Sequence, residues 1–277
     1  MDTFPPKLSD DYKELVGFLP LSIQGILLSK IISFINQAGG MGKTTLTANV
    51  GYHLGQLEKR VLLVDMDSQA SLTRYCGLQP NDLESTIEDA LLDEGNPFIS
   101  EGWHGVDLIP ANSNLISVYT HLPQMGKWHF RLKYTLSTLR QRYDYILIDC
   151  PPNLGPLSIL SLIASTHLII PVQTNSKGLE GAEDLRDTIN DIRSRANRSL
   201  RVIGAVPTMF DSRNKHDREH LAEIRDEFGK LAVLTPIPKA TDINNSWQAR
   251  QPIAVFNRRH IIVHTLKEIA NFLVRYE

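Results

Sequence analysis

Residues 36–45, NQAGGMGKTT, hold three glycines, a lysine and two threonines at a spacing suited to phosphate. Gly39, Gly40 and Gly42 let the backbone approach phosphate oxygens, with the Met41 amide between them. N–H groups there and at the start of the helix that follows point at the anion. Lys43 neutralises β/γ-phosphates, the Thr44 hydroxyl suits Mg²⁺, and Thr45 reaches the α-phosphate. The first glycine of the usual G-x-x-x-x-G-K-[ST] would fall on Gln37. In a variant of the loop a lysine precedes the paired glycines, and that place holds Ala38.

Two further stretches carry acids where such a loop needs them. VLLVDMDSQAS (61–71) ends an apolar run in Asp65 and Asp67, and YILIDCPPNLG (145–155) ends one in Asp149. A carboxylate in the second place holds Mg²⁺ through water, and the turn 151–155 is placed to sense a γ-phosphate. Each stretch alone is weak evidence; the three in this order form a nucleotide site.

These residues must sit at one edge of a sheet. Apolar runs at 30–36, 60–65, 106–110, 145–149, 167–172, 201–206 and 232–237 are mostly continuous, as in parallel strands buried on both faces. Helices are expected at 43–57, 127–142, 178–196, 213–229 and 262–275. This alternation predicts an α/β fold, a doubly wound, mostly parallel sheet. Residues 29–277 read as one domain and 1–28 as an N-terminal extension. That extension reads as a helix packed on the domain, with a partner- or membrane-contacting segment as the alternative.

The 277 residues are 42% hydrophobic and 22% charged, enough apolar material for a sizeable core. Net charge is −2, so no global basic field announces nucleic acid, although residues 181–277 carry 16 Lys+Arg against 13 Asp+Glu. Two cysteines, Cys76 and Cys150, give no disulfide framework and fit a reducing cytoplasm. No apolar run reaches the roughly 18 residues of a membrane span.

The stretches GGMGKTTLTANVGYHL, KRVLLVDMDSQASLT, YDYILIDCPPNLGPLS, LIIPVQTNSKGLEG, PTMFDSRN and TPIPKATDINNSWQARQPI resemble the ParA/MinD-type deviant Walker A ATPases. The resemblance covers residues 30–277 and is nearer to the ParA branch than to MinD. It implies ATP and Mg²⁺ as cofactors, an ATP-bound sandwich homodimer and non-specific DNA binding. It further implies hydrolysis stimulated by a cargo-bound adaptor protein, no stable membrane association, and a cytoplasmic, nucleoid-associated location. The cargo would be a plasmid, a chromosome or a protein assembly. In this resemblance Lys43 is the phosphate lysine, Thr44 the Mg²⁺ ligand and Asp67 the residue that orients the attacking water. Asp65 and Asp149 stand around Mg²⁺. Pro236, Ile237 and Pro238, with the 208–211 loop including Met209 and Asp211, enclose adenine.

Ala38 departs from the family, whose signature lysine there reaches the partner's phosphates across the dimer. Three readings stand side by side: a loss that leaves a slow, ATP-retaining protein; replacement by Lys177 in TNSKGLEG; and Lys177 as a solvated loop residue. Replacement resembles the subgroup that spaces carboxysomes in cyanobacteria, which also lacks the signature lysine.

Three basic clusters are candidates for DNA phosphates: Arg193, Arg195, Arg198 and Arg201; Arg213, Lys215 and Arg218; and Arg250, Arg258 and Arg259. Any one of them also reads as a solvated helix end. No base-reading motif is found, so sequence specificity is not expected. HDREH (216–220) matches an inverted zinc-protease pattern but lacks an evident third ligand. His260 and His264 share its spacing and its weakness. Cys76 and Cys150 are poor candidates for a bridging iron–sulfur cluster. Rival functions are a non-hydrolysing ATP switch or scaffold, an amide-forming ligase of the same superfamily, and a MinD-like membrane-associated regulator.

Overall fold

The computed structural model describes residues 29–93, 96–229 and 231–276. Eight strands form one sheet: β1 (Lys30–Phe34), β2 (Val61–Asp65), β3 (Ser100–Trp103), β4 (Val106–Ile109), β5 (Tyr145–Asp149), β6 (His167–Gln173), β7 (Arg201–Thr208) and β8 (Ala232–Val233). Their order is β3-β4-β2-β5-β1-β6-β7-β8. All pairings are parallel except β3 with β4. The doubly wound α/β expectation therefore holds, and β3 adds an antiparallel edge that had not been anticipated.

Eleven α-helices are described: α1 (Lys43–Gly55), α2 (Ser71–Tyr75), α3 (Ile87–Asp93), α4 (Val118–His121), α5 (Arg131–Ser137), α6 (Pro156–Ala164), α7 (Ala182–Arg195), α8 (Lys215–Phe228), α9 (Asp242–Gln248), α10 (Ile253–Phe256) and α11 (Ile261–Arg275). Two apolar cores result, one on each face of the sheet. One gathers Ile31, Leu62, Ile146 and Ile148 with Leu132, Leu160 and Ile189 of α5, α6 and α7. The other gathers Ile32, Phe34, Leu63 and Leu147 with Leu46 and Val50 of α1 and Leu266 and Ile269 of α11. Alternate residues of one strand thus enter opposite cores, which is why the strands read as unbroken apolar runs.

Several boundaries differ from the sequence reading. The helix expected over 127–142 begins as the short 3₁₀ turn Trp128–Phe130 after Lys127 at positive φ, and its α-helical part is only α5. The helix expected from 178 starts at Ala182, because the chain turns tightly through 175–181 and reaches Gly181 at φ 74°. The last apolar run, 232–237, is regular strand only over Ala232–Val233, although the Leu234 and Ile237 amides still donate to the β7 carbonyls of Ala205 (2.9 Å) and Pro207 (2.8 Å). The expectations for residues 1–28, a packed helix or a contacting segment, fall outside the described residues. Among the described residues no helix is long and apolar enough to cross a membrane.

His53 of α1 is buried where α1 packs on α11, and Lys267 lies near it. Burial first, then the Lys267 charge, depress its pKa from 6.5 to about 4. The unfolded chain therefore binds the proton more readily between pH 6.5 and about 4. Stability contributed by the neutral ring is complete above that window and is lost as pH falls through it. His53→Gln should flatten this loss, by on the order of 3 kcal/mol across the window. Urea midpoints of the two proteins against pH would read the difference; parallel curves would contradict it.

Candidate nucleotide-binding site

The phosphate-binding stretch leaves the C-terminal end of β1, which lies between β5 and β6. This is the switch point of a doubly wound sheet, where adjacent connections depart to opposite faces and open a crevice. Two side-chain contacts fix the loop's entry and middle. Asn36 Nδ2 donates to the Pro171 carbonyl (2.7 Å), while its Oδ1 accepts from the Ala38 amide (3.0 Å). Thr208 Oγ1, at the end of β7, donates to the Met41 carbonyl (3.0 Å). Gly42 stands at φ 87°, a backbone conformation that strains any other residue, and a Cβ there would touch Thr208. No side chain caps α1 after Gly42. Its first-turn amides therefore have no side-chain acceptor and are disposed toward an anion.

Lys43 is buried, and its Nζ donates to the carbonyls of Asn36 (3.2 Å) and Ala38 (3.0 Å). Burial lowers its pKa, and the charges of Asp149, Cys150 and Asp67 pull the other way. The register sets Asp65 of β2 directly beside Asp149 of β5, and Phe34 of β1 on the other side of Asp149. The three strand ends that carry the chemistry are therefore neighbours in hydrogen-bonded register.

The two buried carboxylates differ in their partners. Asp65 Oδ2 accepts from the Thr73 amide (2.9 Å) and hydroxyl (2.7 Å), and its Oδ1 accepts from the Asp67 amide (3.1 Å). Burial still raises its pKa to about 6 against these hydrogen bonds. Both oxygens of Asp149 are buried without a hydrogen bond. The Thr44 hydroxyl stands near enough to ease Asp149's ionisation, yet not in hydrogen-bonding geometry. Burial and the Asp65 charge push the Asp149 pKa well up. Two unpartnered buried carboxylate oxygens beside a hydroxyl suit a hard divalent cation. Asp65, by contrast, spends its acceptors on the turn that starts α2. Asp67 is half-buried and close enough to influence both Lys43 and Asp149.

A cleft of about 210 Å³ opens beside the loop, lined by Gly42, Thr45, Met209, Ile237, Pro238 and Asn244 among others. Its wall is built by backbone pairing between two loops: Phe210 N–H to the Ile237 carbonyl (3.0 Å) and Lys239 N–H to the Phe210 carbonyl (3.1 Å). Of the residues expected around adenine, Met209, Ile237 and Pro238 line this cleft, whereas Pro236 and Asp211 do not. Asp211 faces Arg213 instead, in an ion pair of 3.0 Å.

The γ-side turn also reaches the loop, since a Cβ on Gly39 would lie in van der Waals contact with Pro152. Lys177 is exposed, and its amide donates to Asn175 Oδ1 (3.1 Å) within the turn before α7. That turn abuts the phosphate loop: a Cβ on Gly181 would collide with the side chain of Gln37, the residue before Ala38.

The basic clusters divide. Arg193 donates to the Leu200 carbonyl (2.8 Å) and Arg218 to that of Ser212 (2.7 Å). Arg250 donates to the Gly77 carbonyl (3.3 Å). Arg195 pairs with Asp191, Arg213 with Asp211 and Lys215 with Glu219. Arg198, Arg201, Arg258 and Arg259 are exposed and have no carboxylate partner among the described residues. His216 lies 3.3 Å from Glu219 and His220 2.8 Å from Glu223, on their own helix. Cys76 and Cys150 are both buried, in the cores on opposite faces of the sheet. Asn36 and the Asn49–Tyr75–Trp247 network behind Thr45 were not legible beforehand, because no short motif marks residues that meet only through the fold.

Comparison with known proteins agrees with this geometry. A family model described as an AAA domain matches residues 29–202. The chain is 34% identical to the sporulation initiation inhibitor protein Soj of Bacillus subtilis, over 88% of this chain and 99% of that protein. It is also 34% identical to the chromosome partitioning protein ParA of Myxococcus xanthus, over 83% of this chain and 82% of that one. Among solved structures, cobyrinic acid a,c-diamide synthase from Mycobacterium smegmatis with bound ADP and magnesium superimposes with a TM-score of 0.79 at 31% identity, covering 90% of this chain and 95% of that one. The Cyanothece McdA(D38A)–ATP complex gives a TM-score of 0.82 at 20% identity, over 90% and 98%, and so shares the fold.

The Thr208–Met41 contact yields a direct test. Thr208→Val keeps the shape and leaves the Met41 carbonyl without its hydroxyl donor. The unfolding free energy should fall by about 1–2 kcal/mol. Phosphate-ligand affinity should drop several-fold with it, because the loop loses its clamp. Urea unfolding beside calorimetric titration would measure both, and an unchanged affinity would show that the clamp does not shape the loop.

Proposed function

The chain belongs to the ParA/MinD-type family of P-loop ATPases, and from that premise and the geometry above we propose that it is a positioning ATPase. It binds Mg²⁺-ATP in the crevice at the end of β1, pairs with a second copy around the nucleotide, and binds non-specific DNA in that state. Hydrolysis, stimulated by an adaptor on a cargo, releases it. The observation that carries this reading is the meeting of Lys43, Asp65, Asp67 and Asp149 at one sheet edge, beside an uncapped helix N-terminus and an apolar cleft.

The residues take the following roles. Backbone amides of Gly39 to Thr44 hold β- and γ-phosphate, and Lys43 exchanges its loop carbonyls for phosphate oxygens. Thr44 and Asp149, directly or through water, would hold Mg²⁺, which supplies charge neutralisation on the phosphates when bound. Asp67 orients the attacking water. Asp65 acts one step back, by holding Asp67 and Thr73 in place. Ile237, Pro238 and Met209 cover the base. Little covalent chemistry falls to the protein, so positioning and electrostatics decide the rate.

Ala38 has neither charge nor reach, so a cation must come from elsewhere if the dimer is to hydrolyse ATP at a family-like rate. A trans cation is worth on the order of 10³–10⁵ in phosphoryl transfer. Lys177 is the proposed replacement. Its exposure, and the packing of its turn on Gln37 beside Ala38, support that placement. Arg198, Arg201, Arg258 and Arg259 are the first choices for DNA phosphates, because their charge is not spent within the chain. A second reading, an amide-forming ligase, is favoured by the likeness to the diamide synthase. It would make ATP turnover depend on a small carboxylic acid and indifferent to DNA.

The test is binding to a non-specific DNA duplex with ATP and with ADP. The proposal expects ATP-promoted binding that Lys177→Ala abolishes and that Ala38→Lys restores in the Lys177→Ala background. Binding that is absent or indifferent to nucleotide would remove the DNA role. ATP-promoted binding untouched by Lys177→Ala would leave Lys177 a surface residue.

A further inference from the structure

Thr45 lines the cleft, and its hydroxyl is not left to rotate freely. Trp247 of α9 approaches it from behind, with Nε1 3.3 Å from Thr45 Oγ1. An indole nitrogen can only donate. The threonine oxygen is therefore the acceptor, one of its lone pairs is occupied, and its own proton is directed away from Trp247.

The indole is itself held firmly. It stacks on Tyr75 with ring centroids 4.5 Å apart and planes at 17°. The Tyr75 hydroxyl donates to the Gln251 carbonyl (2.7 Å) and accepts from Asn49 Nδ2 (3.3 Å). Asn49 Nδ2 also donates to the Thr45 carbonyl (2.8 Å), and Asn49 Oδ1 accepts from the Ile253 amide (2.8 Å). Trp103 also meets Tyr75, with ring centroids 5.5 Å apart, and its Nε1 donates to the Arg250 carbonyl (3.3 Å). Tyr75 ends α2, whose Thr73 is the residue gripped by Asp65. The ring that backs Thr45 is thus tied to the same strand ends that carry the carboxylates.

We propose that Trp247 is a positioning residue of the nucleotide site: its indole N–H fixes the Thr45 hydroxyl so that the hydroxyl proton is presented to the α-phosphate of a nucleoside di- or triphosphate. This rests on the nucleotide reading above. Trp247 touches no phosphate and acts only through Thr45. The pre-oriented donor saves the ligand the cost of ordering a rotor at binding.

The experiment is a double-mutant cycle on the full chain, read as Mg²⁺-ADP affinity by calorimetry. Trp247→Phe keeps an aromatic ring against Tyr75 and removes the donor with one ring of the indole, and the cycle separates the two losses. The substitution should weaken ADP binding about 5-fold, within the range of one neutral hydrogen bond. In a Thr45→Val background, where no hydroxyl remains, the same change should have no further effect. In a Thr45→Ser background, which keeps the hydroxyl, the loss of about 5-fold should return. A merely structural Trp247 would give the same factor in all three backgrounds, and that result would overturn the proposal. So would an unchanged affinity in Trp247→Phe. If Trp247→Phe does not fold by circular dichroism, Trp247→Met carries the same comparison. Failure of the unmutated chain to bind ADP would sink the nucleotide reading itself, and the two failures are thereby distinguished.

Discussion

The register that sets Asp65 beside Asp149, with β1 on the other flank of Asp149, is the constraint on which the rest of this structure depends. A slip of one residue would turn either carboxylate to the opposite face and into an apolar core. What prevents the slip is burial on both faces: β2 and β5 are buried at every position, so each strand is gripped by two cores at once. The stability of the apolar layers is thereby converted into the placement of charge.

That placement is costly without a ligand. Asp149 has two buried oxygens and no hydrogen bond, and Lys43 is buried with only carbonyls to bond. An unpaired buried polar group costs on the order of 1–3 kcal/mol. A site that leaves such groups in place, with amides at an uncapped helix start aimed into the same space, is preorganised for a ligand of both signs: phosphate for the lysine and amides, a cation for the carboxylate. The cleft wall built by the 208–210 and 237–239 loops then adds an apolar surface for a flat ring.

Much of this was legible in the residues. The glycines and Lys43 lie in one window, and Asp65 and Asp149 each end an unbroken apolar run, so a strand edge was the natural place for them. The parallel part of the sheet followed from the same runs. What was not legible depends on long-range contact. Ser100–Trp103 carries no apolar run to mark it, and it pairs as a strand with the edge that β4 offers. The helix expected over 127–142 had the right composition, but a positive φ at Lys127 and a short turn at 128–130 reduced it to two turns. Asp65 was expected around Mg²⁺, but no short motif shows that Thr73, eight residues on, would hold one of its oxygens. Trp247 is an unremarkable aromatic on a short helix until the fold sets it behind Thr45, some two hundred positions away.

The most direct test of the central claim is the Mg²⁺ dependence of ATP affinity in the unmutated chain and in Asp149→Asn. An asparagine keeps the shape but removes the charge from the buried group that has no other partner. The unmutated chain should bind ATP at least tenfold more tightly with Mg²⁺ than without, and Asp149→Asn should lose most of that difference while still binding metal-free ATP. Equal Mg²⁺ dependence in both proteins, or no ATP binding by a folded unmutated chain, would contradict that claim.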